Sequence, residues 1–509
     1  MEKILVMDFG SQYNQLIARR IRELHIYTEV VPHTVTLEEL DLSNVIGIVL
    51  SGGPSSVYDI DAPNIDERIL DLDIPILGIC YGMQLVMKHY GGVVEESLKR
   101  EYGKSDLTLL EEDVILEGMT KTSTVWMSHG DHVVTLPSDF VLLGKTPSSM
   151  AMTRHQEKNI YTVQFHPEVT HTDEGRIFLK NFALDVCNAK CDWYLEDFIE
   201  DSVKRIRDLV KDDKVILGLS GGVDSSVAAL LLHKAIGDQL VCIFVDTGLL
   251  RHEEAAEVID NYMELHDLNI VKVDAEDLFF DSLKGVDDPE EKRKIIGKHF
   301  FDVFEEAKAK NSDARFLAQG TIYPDVIESI SIHGPSKTIK SHHNVGGVPS
   351  IHSFEILEPL KELFKDEVRE LGMKLGLPKH LVDRHPFPGP GLGIRVIGEV
   401  SKEKVAILQK ADRIFIEELR NRQLYNEVSQ AFVTLLPVKT VGVMGDNRTY
   451  EYVCALRSVN TTDFMTAHVS RFDFNFLEKV AGRIVSEVKG INRVVYDITS
   501  KPPGTIEWE

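Results

Sequence analysis

Cys80 lies in Gly78-Ile79-Cys80-Tyr81-Gly82, where an apolar run gives way to the helical run Gln84–His89. A thiol on such a strand-to-helix turn is exposed at a helix N-terminus. The helix field there lowers its pKa, and backbone N–H groups can meet an oxyanion. His166-Pro167-Glu168 closes another apolar run, Tyr161–Phe165. Residues i and i+2 of an extended chain share a face, so the imidazole and carboxylate stand side by side, and Pro167 confines them to a strand end or edge. Alone, Cys80 reads as a packed small hydrophobe and His166 as a satisfied surface histidine. With Glu168 they make a nucleophile, a base and an orienter, the set for covalent acyl transfer.

A second constellation, Ser220-Gly221-Gly222-Val223-Asp224-Ser225-Ser226, joins the apolar run Lys214–Leu219 to the helical run Ser225–Ile236. Its glycines let N–H groups converge on a phosphate, while its hydroxyls cap the helix and donate to the same anion. No lysine precedes the terminal serine pair, so it is not a Walker loop. Asp246, ending the run Leu240–Val245, falls on the same sheet edge and can equally cap a helix. Lys340, with Asp325 and Glu328 upstream, lies in the aperiodic Gly-, Ser- and His-rich stretch 331–352, expected to be a mobile polar lid over a nucleotide.

The elements that must position these groups alternate. Apolar runs at Lys3–Phe9, Val45–Leu50, Ile74–Ile79 and Asn159–Phe165 read as strands, with helices between them. From residue 214 to 319 strands and helical crossovers alternate again, which predicts a parallel, doubly wound sheet with ligands at the strand C-terminal ends. The run Arg384-His385-Pro386-Phe387-Pro388-Gly389-Pro390-Gly391 can be neither helix nor central strand. Beyond it, helices near 402–420 and 476–488 flank strands at 431–457 and 494–498. The expected fold is α/β, two doubly wound parallel-sheet domains at 1–190 and 191–384, followed by a small α+β domain at 385–509.

A chain of 509 residues needs more than one core, and its net charge of −25 argues against nucleic acid or an anionic membrane surface as partner. Small phosphate sites remain open to it, since they are built locally. Five cysteines without paired spacing suit reduced thiols in the cytoplasm, and no apolar run approaches the ~20 residues that span a bilayer.

Gly78-Ile79-Cys80-Tyr81-Gly82-Met83-Gln84, Ser51-Gly52-Gly53-Pro54 and His166-Pro167-Glu168 resemble the class I glutamine amidotransferases. The resemblance implies Cys80 as nucleophile, His166 as general base and Glu168 as orienter. It also implies an oxyanion hole at the Gly52–Gly53 turn and the Tyr81 amide, and a glutamine pocket lined by Gln84 and Ser128–Asp131. The loop Ser220–Ser226 resembles that of the adenine nucleotide α-hydrolase-like ATP pyrophosphatases. There Ser220, Gly221, Gly222, Val223, Asp224, Ser225 and Ser226, with Asp246 and Lys340, would bind ATP. Mg²⁺ would accompany it, with Asp224 as a protein ligand, and no organic cofactor is implied.

Neither site names the acceptor. Arg384–Leu392 and Ile498-Thr499-Ser500-Lys501-Pro502-Pro503-Gly504-Thr505-Ile506-Glu507-Trp508-Glu509 resemble the glutamine-hydrolysing GMP synthetases, and with the earlier motifs the resemblance spans the chain. It implies glutamine, ATP and XMP as substrates, an XMP site at Arg251, Lys501 and Glu507, and a homodimer through the C-terminal domain. Rival readings are another acceptor, as in glutamine-dependent NAD or asparagine synthetases, and a regulatory protein built on the same folds without chemistry.

Overall fold

The computed structural model describes residues 1–11, 13–309, 314–331, 354–444, 447–461, 464 and 466–509. Lys340 and most of the expected lid lie outside the described residues. These residues form two compact units, Met1–Phe198 with the helix Tyr323–Ser331, and Ile199–Ile322 with the residues from 354 onward.

The first unit is built on a sheet of β1 (Lys3–Asp8), β2 (Tyr27–Pro32), β3 (Val45–Leu50), β4 (Ile76–Ile79), β5 (Val93–Leu109), β6 (Thr122–Thr135), β7 (Phe140–Lys145), β8 (Met150–His155) and β9 (Ile160–Val163). Its order is β2-β1-β3-β4-β9-β8-β7-β5-β6. The first five in that order are parallel, and the near-continuous apolar runs of β1, β3, β4 and β9 are those of strands covered on both faces. From β8 onward the neighbours are antiparallel, an extension the sequence reading does not contain. Much of β5, Glu95-Glu96-Ser97-Leu98-Lys99-Arg100-Glu101, is charged, so neither strand period stands out there.

In the second unit β10 (Lys214–Gly218), β11 (Leu240–Asp246), β12 (Ile270–Asp274), β13 (Ala314–Ala318) and β14 (Glu355–Leu357) form a wholly parallel sheet, ordered β12-β11-β10-β13-β14. The chain turns from one side of β10 to the other between β12 and β13, which puts the loop after β10 at the topological switch point. A mixed sheet follows, from β15 (Gln430–Met444), β16 (Asn447–Asn460), β17 (His468–Val469) and β18 (Ile491–Asp497). Ser401 and Asp473 cap the helices Lys402–Asn421 and Phe474–Glu487, accepting from Lys404 N and Phe476 N.

The Pro- and Gly-rich run from Pro386 to Gly389 is partly exposed, but it leads into buried chain from Pro390 to Val396. Leu392, Ile394 and Val396 are inside, and one apolar core runs from Ile216 and Ile243 through Leu392 and Val396 to Leu408, Val433 and Leu456.

Gly82 is the second residue of the helix after β4, and a Cβ built on it would lie 2.4 Å from the Leu50 carbonyl oxygen of β3. The Leu50 backbone cannot yield cheaply. Gly82→Ala is expected to destabilise the first unit by about 3 kcal/mol, read from urea unfolding followed by tryptophan fluorescence.

Candidate active site

Three neighbouring parallel strands carry the first site to one edge. β3 ends at Gly52–Gly53, β4 at Cys80, and β9 runs into His166. Cys80 adopts φ 52° and ψ −102°, a strained elbow between β4 and the helix Tyr81–His89. Its amide donates to Val163 O at 2.7 Å, and Gly82 N donates to Ser51 O at 3.1 Å, locking the turn between β3 and β9. Gly52 lies close to the pair, and a Cβ there would press on His166 Cε1 at 3.1 Å. Gly53 lies against the Tyr81 ring and Phe9 O in the same way.

His166 is buried beside Cys80, and its Nδ1 lies 2.7 Å from Glu168 Oε1. Burial opposes a charge on the imidazole. The Glu168 carboxylate, with the hydrogen bond it accepts, and the neighbouring Cys80 outweigh it and push His166 up to about 10. Glu168, fully enclosed, is in turn held through its carbonyl by Arg20 Nε at 3.2 Å. Thr172 Oγ1 donates to His166 O at 2.6 Å, and Tyr13 packs edge-on against the imidazole.

Gln84 is buried and donates to Asp131 O at 2.9 Å and to Gln164 Oε1 at 3.5 Å. Gln164 Nε2 reaches Cys80 Sγ at 3.7 Å. A polar thread therefore links the Ser128–Asp131 stretch of β6 to the thiol. Sequence reasoning missed Gln164. The available signal was an amide inside the apolar run Tyr161–Phe165, where it must find a partner.

The second site forms at the end of β10. Gly221 has φ +76°, and the hydroxyls of Ser220 and Ser225 lie 3.0 Å apart. Ser225 and Ser226 donate to Gly222 O at 3.1 and 2.7 Å. Gly320, just after β13, closes the other wall, since a Cβ on it would lie 3.2 Å from Ser225 N. The Asp224 carboxylate is gripped by Lys365 Nζ at 2.7 and 2.6 Å, a partner the sequence reading did not contain. Asp246 accepts from Gly248 N at 3.2 Å and pairs with Lys272 at 3.0 Å. Among the described residues no three acidic, His or Cys side chains gather to hold a metal. One carboxylate beside hydroxyls fits Mg²⁺ that arrives on ATP phosphates, which needs one or two protein carboxylates.

Arg251 lies over the Phe387 ring at 4.4 Å and donates to His385 O at 3.1 Å. Arg395 meets the same ring at 5.1 Å and grips Glu507 through two bonds of 3.1 and 2.9 Å. Arg251 and Glu507 thus belong to one chain of contacts. Lys501 donates to Phe464 O at 2.7 Å.

Three family descriptions match the chain in order. They are Glutamine amidotransferase class-I over residues 5–186, NAD synthase over 193–290 and GMP synthase C terminal domain over 417–508. A GMP synthase (glutamine-hydrolyzing) of Fusobacterium nucleatum is 59% identical over 507 residues, covering 99% of both chains. That of Mesoplasma florum is 59% identical over 509 residues, covering 100% of this chain and 99% of its own. The chain belongs to the glutamine-hydrolysing GMP synthase family. A third member, from Carboxydothermus hydrogenoformans, is 55% identical over 508 residues, covering 100% of this chain and 99% of its own. The NAD synthase likeness is confined to the loop-bearing segment, so it speaks for the shared loop fold and not for an NAD-type acceptor in this GMP synthase family member.

Because folded His166 holds its proton more tightly than an ordinary imidazole at 6.5, its stabilising effect is complete below that pH. It is lost as pH rises toward about 10. NMR titration of His166 should show a midpoint near 10 that falls in Glu168→Gln. In the same variant glutamine hydrolysis should slow about 10²–10⁴-fold, measured as glutamate release.

Proposed function

We propose that the chain makes GMP from XMP, hydrolysing glutamine at Cys80 and adenylating XMP with ATP at the loop Ser220–Ser226. Full-length likeness at 59% identity carries the choice of acceptor, and the two strand-edge sites supply the chemistry.

With the Cys80 proton resting on His166, the sulfur attacks the glutamine side-chain carbonyl. The resulting oxyanion meets the turn at Gly53 and the Tyr81 amide at the helix N-terminus. His166 then gives the proton to the leaving ammonia, and water, deprotonated by the same imidazole, cleaves the thioester to glutamate. Glu168 keeps the imidazole in the productive tautomer throughout. Gln84 and Gln164 hold the pocket wall beside the thiol.

At the second site the C2 oxygen of XMP attacks the α-phosphorus of ATP and pyrophosphate leaves into the loop. Ser220, Ser225 and Ser226 with the amides from Gly221 to Val223 receive the phosphates, and Asp246 and Lys340 complete the nucleotide site. Mg²⁺, when bound with ATP, screens phosphate charge. Asp224, now paired with Lys365, would be its protein ligand. Ammonia adds at C2 and AMP departs, leaving GMP. Arg251, Lys501 and Glu507 hold XMP. Water, glutamine, ATP and XMP thus become glutamate, AMP, pyrophosphate and GMP.

We assign residues 1–190 to the amidotransferase, 191–384 to adenylation and 385–509 to acceptor binding and dimerisation. The antiparallel pair Val441 and Tyr450 and nearby Val443 expose apolar surface on the β15–β16 ribbon, at 50%, 63% and 75%, which suits a homodimer. A cytoplasmic setting suits five free thiols.

With XMP, ATP and glutamine, the purified chain should release AMP and pyrophosphate in equal amounts with GMP. ADP and phosphate as products would overturn the reading of the loop.

A further inference from the structure

Three buried cations converge on the segment Asp497–Glu509. Arg457, on β16, donates to the carbonyls of Thr499, Thr505 (3.0 Å) and Ile506 (3.4 Å). Arg395 holds the Glu507 carboxylate, which also accepts from Gln430 Nε2 at 2.7 Å. Lys292 is the least expected of the three. It stands in the first turn of the helix Pro289–Ala309, is 0% exposed, and donates to Glu509 Oε2 at 2.5 Å, Val396 O at 2.9 Å and Gly393 O at 3.4 Å. Gly398 N donates to Glu509 Oε1 at 3.1 Å, and Arg293 donates to Glu509 O at 2.6 Å.

An enclosed ammonium is costly, and an ion pair offsets that cost only when its remaining protons are also satisfied. Here all three ammonium protons have acceptors, so Lys292 is fully matched to this one arrangement of its neighbours. Apolar packing alone would attach the segment, because Ile506 is buried beside Phe432, Val459 and Ala467. Such packing leaves direction loose, whereas directed bonds from Lys292 fix where Glu509 lies relative to Gly393–Val396. Between those anchors stand Arg395 and Glu507, and Glu507 keeps acceptor capacity, since a carboxylate offers roughly four lone-pair sites and three are in use here.

We propose that Lys292 is a positioning residue for the acceptor nucleotide. Through Glu509 it sets the segment that presents Lys501 and Glu507 to XMP, and so acts on XMP affinity without touching the nucleotide. This rests on the reading of Lys501 and Glu507 as the acceptor site.

The test is steady-state GMP formation by the full chain in Lys292→Met and Glu509→Gln. Each should raise KM for XMP about tenfold or more while KM for ATP stays within twofold, and Lys292→Met/Glu509→Gln should be no worse than the weaker single variant. A merely structural role would move both KM values and the melting temperature together, and that outcome overturns the proposal. Unchanged KM for XMP in a folded Lys292→Met also overturns it. Should Lys292→Met fail to fold, Glu509→Gln decides by the same split. Lys501→Ala separates the two readings. Raised KM for XMP there with none in Lys292→Met sinks only the positioning role, whereas unchanged KM in Lys501→Ala sinks the acceptor site itself.

Discussion

Parallel strands bring side chains from distant parts of a chain to one edge only where their C-terminal ends align, and both sites depend on that constraint. In the first unit β3, β4 and β9 end together, so a glycine turn, a thiol and an imidazole from residues 52, 80 and 166 become neighbours. The approach is close enough that Gly52, Gly53 and Gly82 cannot carry a Cβ without displacing backbone or the catalytic pair. In the second unit the loop after β10 meets Gly320 after β13 across the switch point. The reactive groups of both sites are therefore held by sheet register, and the helices that follow β4 and β10 contribute N-terminal amides.

Buried charge is used in two ways within this frame. Glu168 keeps a proton on His166 against the pull of burial, which readies the pair for exchange with Cys80 and the leaving ammonia. Lys292 with Glu509, and Arg395 with Glu507, have no exchange to perform and instead fix direction. The two uses differ in what lies next to the pair. His166 adjoins a thiol, while Lys292 is ringed by carbonyls and a carboxylate that leave it nothing further to do.

What could be read from sequence follows the length of the interaction. Cys80, His166–Glu168 and Ser220–Ser226 are short motifs at element junctions, where period and turn chemistry coincide. Lys365 and Asp224 are 141 residues apart, and Lys292 and Glu509 are 217 apart. Nothing local in either stretch announces a partner. The antiparallel half of the first sheet escaped for another reason, since β5 is charged along much of its length and carries no clean alternation. Just beyond the Pro- and Gly-rich run, Leu392 and Ile394 are buried, and no local period announces it. Lys501 and Glu507 came from likeness alone. Glu507 turned out to be tied to Arg395 and Gln430, residues that the sequence reading had given no role.

The central claim is that one chain divides its labour, releasing ammonia at Cys80 and activating XMP at Ser220–Ser226. The direct measurement is GMP formation by Cys80→Ala with XMP and ATP, supplied in turn with glutamine and with ammonium. The account predicts no product from glutamine and a rate from ammonium equal to that of the unaltered chain. Loss of both activities in a folded variant, or retention of the glutamine-dependent rate, would contradict it.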